Sequence, residues 1–326
     1  MDHVKPHSMP APPSLIKSLK AGFDAISNHI ALAIFPILLD ILLWLGPQLH
    51  VMGALTPILK QVSSSGNEQN LMFEFLNSGL ERVNLFSILR TFPIGVPSLM
   101  VDNAPLQNPI GSAMVWEASS LEAVFLTWLA FTLGGLAVGT IFFSLIAQIS
   151  LSDQINPKLI LNKWPWHFLQ VTLLSLAWLV LLLIVSIPFS CIFTILLLSG
   201  VGIGQVSLIA MVLMGGLLIW MLIPLAFSPH GIFVYDQNAW LSIRRSLRLT
   251  RLTFWITGFF LIAVILLSAG LDMLWRIPEP SSWLTLIGIA GHAFVATSLI
   301  ASSFFYYRDA NRWVDYLIQP RDEQIT

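Results

Sequence analysis

Charged residues are scarce in this sequence. Of its 326 residues, 16 are Lys or Arg and 17 are Asp or Glu, together 10% of the chain, against roughly 25% in an ordinary soluble domain. Apolar residues make up 56%, and the mean hydropathy is +0.79. Such a composition excludes a soluble globular enzyme and a nucleic-acid binder with a basic surface. It predicts a multi-pass membrane protein.

Cysteine is almost absent, and the motifs of common catalytic or metal sites are missing. Cys191 is the only cysteine, so no intrachain disulfide is possible and no metal-ligand spacing surrounds it. The sequence has no His-Glu-x-x-His, no P-loop and no acidic metal cluster in an apolar run. A Ser-x-x-Lys match at Ser14 and Lys17 lacks its partner motifs and is best explained by chance. We therefore expect no catalytic residue, no metal and no cofactor.

Long stretches without charge locate the predicted membrane spans, because a spanning helix needs about 20 apolar residues. Residues 164–235 contain no Asp, Glu, Lys or Arg, so this stretch must hold two spans, with a turn at the glycines of 199–204. We predict an all-α polytopic membrane protein with six transmembrane helices. Their predicted ranges are 29–49, 121–148, 167–198, 205–228, 252–275 and 282–307.

The distribution of Lys and Arg predicts the orientation. Six spans place both termini on one side of the membrane, together with segments 1–28, 149–166, 236–251 and 308–326. Twelve of the 16 basic residues fall on that side: Lys5, Lys17, Lys20, Lys158, Lys163, Arg244, Arg245, Arg248, Arg251, Arg308, Arg312 and Arg321. Because basic residues mark the cytoplasmic side, we predict cytoplasmic termini in the plasma membrane.

The largest predicted extracytoplasmic piece is segment 50–120, which we interpret as a cap or a connecting loop. Its proline-rich second half indicates irregular structure. In its first half four apolar residues recur at helical spacing and predict one short amphipathic helix: Met72, Leu76, Leu80 and Val83.

Two segments on the predicted cytoplasmic side are amphipathic and should lie flat on the membrane before turning into a span. In residues 14–30 the shared apolar face carries Leu15, Leu19, Phe23 and Ile26. Residues 239–252 place apolar and basic residues on different faces. The apolar face carries Trp240, Ile243 and Leu247, and the basic face carries Arg244, Arg248 and Arg251, with Arg245 at its border.

Three stretches carry a resemblance to a known family. Residues 239–249 fit the pattern A-x-x-x-x-R-R-S-x-x-L, residues 305–313 read FYYRDANRW, and the first predicted span contains IFPILLD. In these features the chain resembles a prokaryotic family of six-span proteins related to the membrane domain found with glycerophosphoryl diester phosphodiesterases. The resemblance implies the six-span fold. It implies no phosphodiesterase activity, because the chain lacks a soluble barrel of about 250 residues.

Two ionisable residues lie near the middle of predicted spans, where such groups are candidates for function. Asp40 lies 16 residues after Asp24, and His292 lies 16 residues before Arg308. Equal depth allows an Asp40–His292 pair. One interpretation is a relay for protons or cations at the midplane. The other is a pair of separate neutral groups, each hydrogen-bonded to a neighbouring helix.

The four arginines Arg244, Arg245, Arg248 and Arg251 are candidates for binding anionic lipid headgroups, at about 1 kcal/mol for each basic residue near the surface. The alternative is that they only determine topology. Small residues at close spacing predict close packing within the membrane: Gly135 with Gly139, and Gly288 with Gly291.

Together these features favour a non-enzymatic integral membrane component. It would be a permease-like or accessory subunit or a scaffold, with membrane lipids and a protein partner or second copy as its partners, and no nucleic acid. The alternative is a proton-coupled or substrate transporter that uses Asp40 and His292. An intramembrane enzyme acting on lipids is the least favoured function, since we find no catalytic constellation.

Overall fold

The computed structural model describes residues 11–63, 83–101, 105–152, 154–198 and 203–318. These ranges contain ten α-helices: α1 (Leu15–Asn28), α2 (Ile34–Leu45), α3 (Met52–Ser63), α4 (Leu121–Ser152), α5 (Pro157–Leu198), α6 (Ile203–Leu225), α7 (His230–Tyr235), α8 (Ala239–Leu252), α9 (Phe254–Trp275) and α10 (Thr285–Ile318). Two short 3₁₀ helices span Ile30–Ala33 and Leu85–Leu89. The predicted helix on Met72, Leu76 and Leu80 falls outside the described residues.

Four short strands, which the sequence analysis did not predict, lie between α2 and α4. They are β1 (Gln48–His50), β2 (Gln107–Asn108), β3 (Gly111–Ser112) and β4 (Val115–Glu117). Strand β1 pairs in parallel with β4, with Gln48 opposite Val115. Strands β2 and β3 form a small antiparallel hairpin.

Within the described ranges, five helical segments are long and apolar enough to cross a membrane: Leu121–Ser152, Pro157–Ile192, Val212–Tyr235, Phe254–Trp275 and Thr285–Ile318. A sixth crossing is reached only if α1 and Ile30–Leu45, which meet at a bend of 92°, count as one span. Helix α2 has 12 residues and is therefore about 18 Å long, short of a hydrocarbon core of about 30 Å. The chain is a mainly helical multi-pass membrane protein, and the count of six spans stays a prediction.

The described residues divide into two compact units. The first unit contains the residues up to Gly22, Ala147–Ile265 and the residues from Ala301 onward. The second unit contains Phe23–Ile146 and Leu266–Ile300. The basic helix α8 belongs to the first unit, and Asp40 and His292 belong to the second.

An aromatic cluster forms the core of the first unit. Phe260 and Tyr306 stack with their ring centroids 4.2 Å apart, and Phe227 stacks on Tyr306 and Tyr307. The Tyr306 hydroxyl forms a 3.0 Å hydrogen bond with the hydroxyl of Thr257. The polar end of this buried ring is thereby satisfied, as burial in an apolar core requires.

Helix α8 is attached to the end of α6 through two serine hydroxyls. Ser246 Oγ donates to Pro224 O at 2.8 Å, and Ser242 Oγ donates to Ser228 O at 2.5 Å. In an α-helix the amides of Ser228 and Ile232 would bond these carbonyls, but here they bond other residues in the turn. The serines therefore replace backbone donors that the helix break removed.

In the second unit, part of the predicted outer cap lies beside the middle of α4. A Cβ atom on Gly135 would collide with the carbonyl oxygen of Leu89, and one on Gly139 would lie 3.4 Å from Gly95 Cα. Ile94 is fully buried. The close packing predicted for these two glycines exists, but their neighbour is the irregular segment 89–95. This segment therefore packs on α4 through Leu89 and Gly95.

Gly231, the second residue of α7, has no room for a side chain. An added Cβ would collide with Ser242 Oγ and lie 3.0 Å from the Tyr307 hydroxyl. We expect Gly231→Ala to destabilise the protein by about 1–3 kcal/mol through overpacking. Gly258→Ala is the matched control, because nothing lies within 4 Å of its added Cβ and alanine favours a helix. Thermal unfolding in one detergent measures both, and equal unfolding temperatures would contradict the expectation.

Candidate functional site

The start of α8 is held by side chains on both sides of its first turn. Asn238 Oδ1 accepts from the amide of Leu241 at 2.8 Å and caps the helix. The amide of Ala239 donates to Gln170 Oε1 of α5 at 2.9 Å. These bonds satisfy two amides that an α-helix leaves without partners at its beginning, and they attach α8 to α5.

Asp236 forms the corner between α7 and α8. Its φ is 51°, a left-handed conformation that Asp tolerates better than most residues. Its carboxylate accepts from Lys163 Nζ at 2.5 Å and from His167 Nε2 at 2.9 Å, both on α5. Burial acts to raise the pKa of Asp236, but the hydrogen bonds and charges of Lys163 and His167 outweigh it and lower that pKa. The carboxylate thus holds the corner in its ionised form.

Arg245 is occupied within the protein. Its Nε donates to Asn311 Oδ1 at 2.9 Å, and its Nη2 donates to Asp315 Oδ2 at 2.8 Å. Its guanidinium also lies 4.0 Å from the ring centroid of Tyr235, within cation–π range. Arg245 therefore joins α8 to α10 and is not available as a headgroup ligand, unlike the other arginines of the predicted set.

Arg244, Arg248 and Arg251 remain exposed. Their spacing of four and three residues places them on one face of α8. The guanidinium of Arg244 lies 4.7 Å above the ring of Trp240, which is 62% exposed. Within the part of the chain that the structure describes, no ion pair joins these three arginines to a carboxylate. From here on, the basic face means these three arginines together with Trp240, which the sequence analysis placed on the apolar face.

Asp40 holds the irregular segment 98–100 through its carboxylate. Its carboxylate accepts three hydrogen bonds, from Ser98 Oγ at 2.5 Å, from the amide of Leu99 at 3.1 Å and from the amide of Met100 at 3.0 Å. Asp40 is fully buried. Non-helical backbone at membrane depth needs protein partners for its amides. Asp40 supplies such partners, which is a structural role.

His292 pairs with a residue that the sequence analysis did not select. Its Nδ1 lies 2.8 Å from Asp272 Oδ1, a hydrogen bond in which the imidazole N–H donates. Asp40 is close enough to interact with His292 electrostatically, but no hydrogen bond between the two is found among the described residues. The Nε2 of His292 is buried and has no partner in the described part of the chain.

The glycines of α10 explain why Asp272 meets His292. A Cβ on Gly288 would collide with the carbonyl oxygen of Trp275, and one on Gly291 would lie 2.6 Å from its ring. Helices α9 and α10 therefore approach closely here, as the two glycines predicted. Asp272 lies one turn before Trp275 on α9, and His292 lies one turn after Gly288 on α10, so the two side chains meet. The spacing of the glycines was thus the signal in the sequence for this pair.

Over the described residues, no group of three or more His, Cys, Asp or Glu side chains could hold a metal ion. Comparison of the chain with protein-family models, curated proteins and solved structures finds no match. The fold defines the class, a helical multi-pass membrane protein. Its function has to be argued from the basic face and from the polar cluster around His292.

The Asp236 corner generates a pH-dependent prediction. Because the pKa of Asp236 is lowered in the folded protein, its stabilising effect is present above the ordinary value near 3.8 and is lost as the pH falls through the folded value. Asp236→Asn, which keeps the tolerance for positive φ, should lower the unfolding temperature at pH 7.

That difference should persist at pH 5 and vanish in stronger acid. Thermal unfolding as a function of pH measures it. Combining Asp236→Asn with Lys163→Gln should cost less than the sum of the single changes, because both remove the same ion pair. Strict additivity at pH 7 would contradict the assignment.

Proposed function

We propose that this chain is a non-enzymatic multi-pass component of the plasma membrane that retains an anionic phospholipid at the basic face. The observation that carries the proposal is the arrangement of Arg244, Arg248 and Arg251. They share one exposed face of a helix whose other sides are attached to α5, α6 and α10. A rigidly held row of unpaired cations suits phosphate headgroups, which bind basic residues at about 1 kcal/mol each.

The predicted orientation supports this proposal. If the termini are cytoplasmic, the basic face lies at the inner leaflet, where anionic lipids are concentrated. Trp240 then lies at the membrane interface, which tryptophan prefers. The role of such a protein would be that of a permease-like or accessory subunit or a scaffold, working with a protein partner or with a second copy.

The resemblance to the membrane domain found with glycerophosphoryl diester phosphodiesterases remains part of the proposal. Its two sharpest motifs lie in contact, since Arg245 of the first motif donates to Asn311 of the second. Leu249 and Tyr306, again one from each motif, belong to the same buried cluster. Residues that carry the resemblance thus hold α8 in place, which would make the position of this helix the shared feature.

Removing the three exposed charges tests the proposal. The triple variant Arg244→Gln, Arg248→Gln and Arg251→Gln should weaken retention of phosphatidylglycerol roughly 100-fold, from about 1 kcal/mol per arginine. Native mass spectrometry of the detergent-purified chain, titrated with the lipid, measures the occupancy. Lys158→Gln removes an exposed charge from α5, outside the basic face, so it should leave retention unchanged. Equal retention by wild type and triple variant would contradict the proposal.

A second candidate function, a proton-coupled transporter, is favoured by the buried pair of His292 and Asp272. Its free Nε2 could exchange a proton, and Asp272 keeps 30% of its side chain exposed. Asp40, with three donors, is better explained as structural.

Reconstituted vesicles with an internal pH dye test this candidate. A transporter predicts proton uptake in the wild type that His292→Gln abolishes without a change in unfolding temperature. Asp40→Asn should instead lower stability, by about 1–3 kcal/mol, because it disturbs the bonds to Leu99 and Met100. No proton movement in the wild type, under gradients of either sign, would rule out simple proton transport.

A further inference from the structure

A cavity of about 540 Å³ lies in the first unit between α5, α6, α8 and the first residue of α9. Trp178, Trp220 and Leu247 are among its lining residues, and apart from Thr250 and Arg251 the lining is apolar or tryptophan. This volume lies within the roughly 300–1,000 Å³ of small-molecule pockets. An apolar cavity offers water few hydrogen bonds, so its natural occupant is a hydrocarbon chain.

The apolar side of α8 faces this cavity. Ile243 and Leu247, which the sequence analysis placed on an apolar face toward the membrane, are both lining residues. The neighbouring small polar side with Ser242 and Ser246 is buried against the rest of the unit. The amphipathic pattern of α8 therefore forms one wall of a pocket.

Thr250 is buried, with 1% of its surface exposed, so its hydroxyl lies behind the wall of the cavity. A ligand in the cavity therefore meets an almost entirely apolar surface.

Arg251 determines the charge of that ligand. It is exposed, lines the same cavity and belongs to the basic face together with Arg248. A ligand that fills the cavity therefore has its polar end beside a cation. The required chemistry is an apolar chain with a negative charge at its head.

We infer that this cavity takes one acyl chain of an anionic phospholipid, with the phosphate on Arg251. The inference rests on the proposed function and deepens it. The proposed function requires only attraction of headgroups to the basic face. The cavity adds a built site with a stoichiometry of one lipid for each chain and with a dependence on the acyl chain.

The experiment compares two tryptophan substitutions on α5. Ala177 lines the cavity, whereas Leu176 is an exposed residue on the same helix that does not line it. Full-length variants in mild detergent are titrated with dioleoyl phosphatidylglycerol, and native mass spectrometry reports the bound lipid. We expect the wild type and Leu176→Trp to hold one lipid. Ala177→Trp should need at least a tenfold higher lipid concentration for half occupancy.

Two further measurements keep the inference testable if Ala177→Trp folds poorly. Leu181→Trp also fills the cavity, because Leu181 is a lining residue one turn after Ala177, so it should weaken binding as well. With the wild-type protein, dihexanoyl phosphatidylglycerol should bind at least tenfold more weakly than the dioleoyl lipid. Retention that is independent of chain length, or unaffected in both Ala177→Trp and Leu181→Trp, would overturn the inference.

The outcomes separate the cavity from the basic face. If the triple arginine variant loses the lipid while Ala177→Trp keeps it, the proposed function stands and the cavity inference fails. If the triple variant retains the lipid as the wild type does, the proposed function fails. If dioleoyl phosphatidylcholine, which has the same phosphate but no net charge, binds as tightly as phosphatidylglycerol, the assignment of an anionic lipid to the cavity is wrong.

Discussion

The backbone polar groups that leave regular helix within an apolar chain need partners inside the protein, and the described fold depends on how they find them. In hydrocarbon no water replaces a missing hydrogen bond, so an unpaired amide or carbonyl is costly. Where α6 ends, Ser246 and Ser242 bond the carbonyls of Pro224 and Ser228. Where segment 98–100 runs irregularly, the Asp40 carboxylate bonds its amides.

This requirement links the break after α6 to the surface that α8 presents. The serines that satisfy the free carbonyls also determine which side of α8 is buried. Once that side is buried, Ile243 and Leu247 line the cavity and the arginines remain outside. The start of α8 is then held by Asp236 and Asn238, and its flank is held by Arg245. The basic face is therefore a consequence of backbone satisfaction as much as of helical periodicity.

The same requirement changes the interpretation of buried charge in the second unit. A carboxylate in the middle of an apolar helix is a candidate for function by default, and Asp40 has instead the donors of a structural anchor. Of Asp40 and His292, only His292 has an unsatisfied buried atom, because its Nε2 has no partner in the described ranges. The pair of His292 and Asp272 is therefore a better candidate for ion movement than Asp40.

Composition was sufficient to predict that the chain enters a membrane. Composition and periodicity together predicted the helical class and the bounds of several helices. The scarcity of charge predicts spans, and the spacing of Trp240, Ile243 and Leu247 predicts α8 almost to the residue. These are local properties, since each depends on residues within a few turns of one another. The spacing of Gly288 and Gly291 likewise predicted close packing, although it did not identify Trp275 as the neighbour.

The sequence by itself thus determined that the chain enters a membrane and which stretches are helical, because hydropathy and helical spacing act along the chain. Only the tertiary structure decided which arginines are free. Arg245 meets Asn311 across 66 positions of sequence, whereas helical spacing within α8 placed it only at the border of the basic face. It also decided that Asp272 pairs with His292 and that segment 98–100 pairs with Asp40. Such pairings depend on how distant helices and loops meet in space, which local periodicity does not encode.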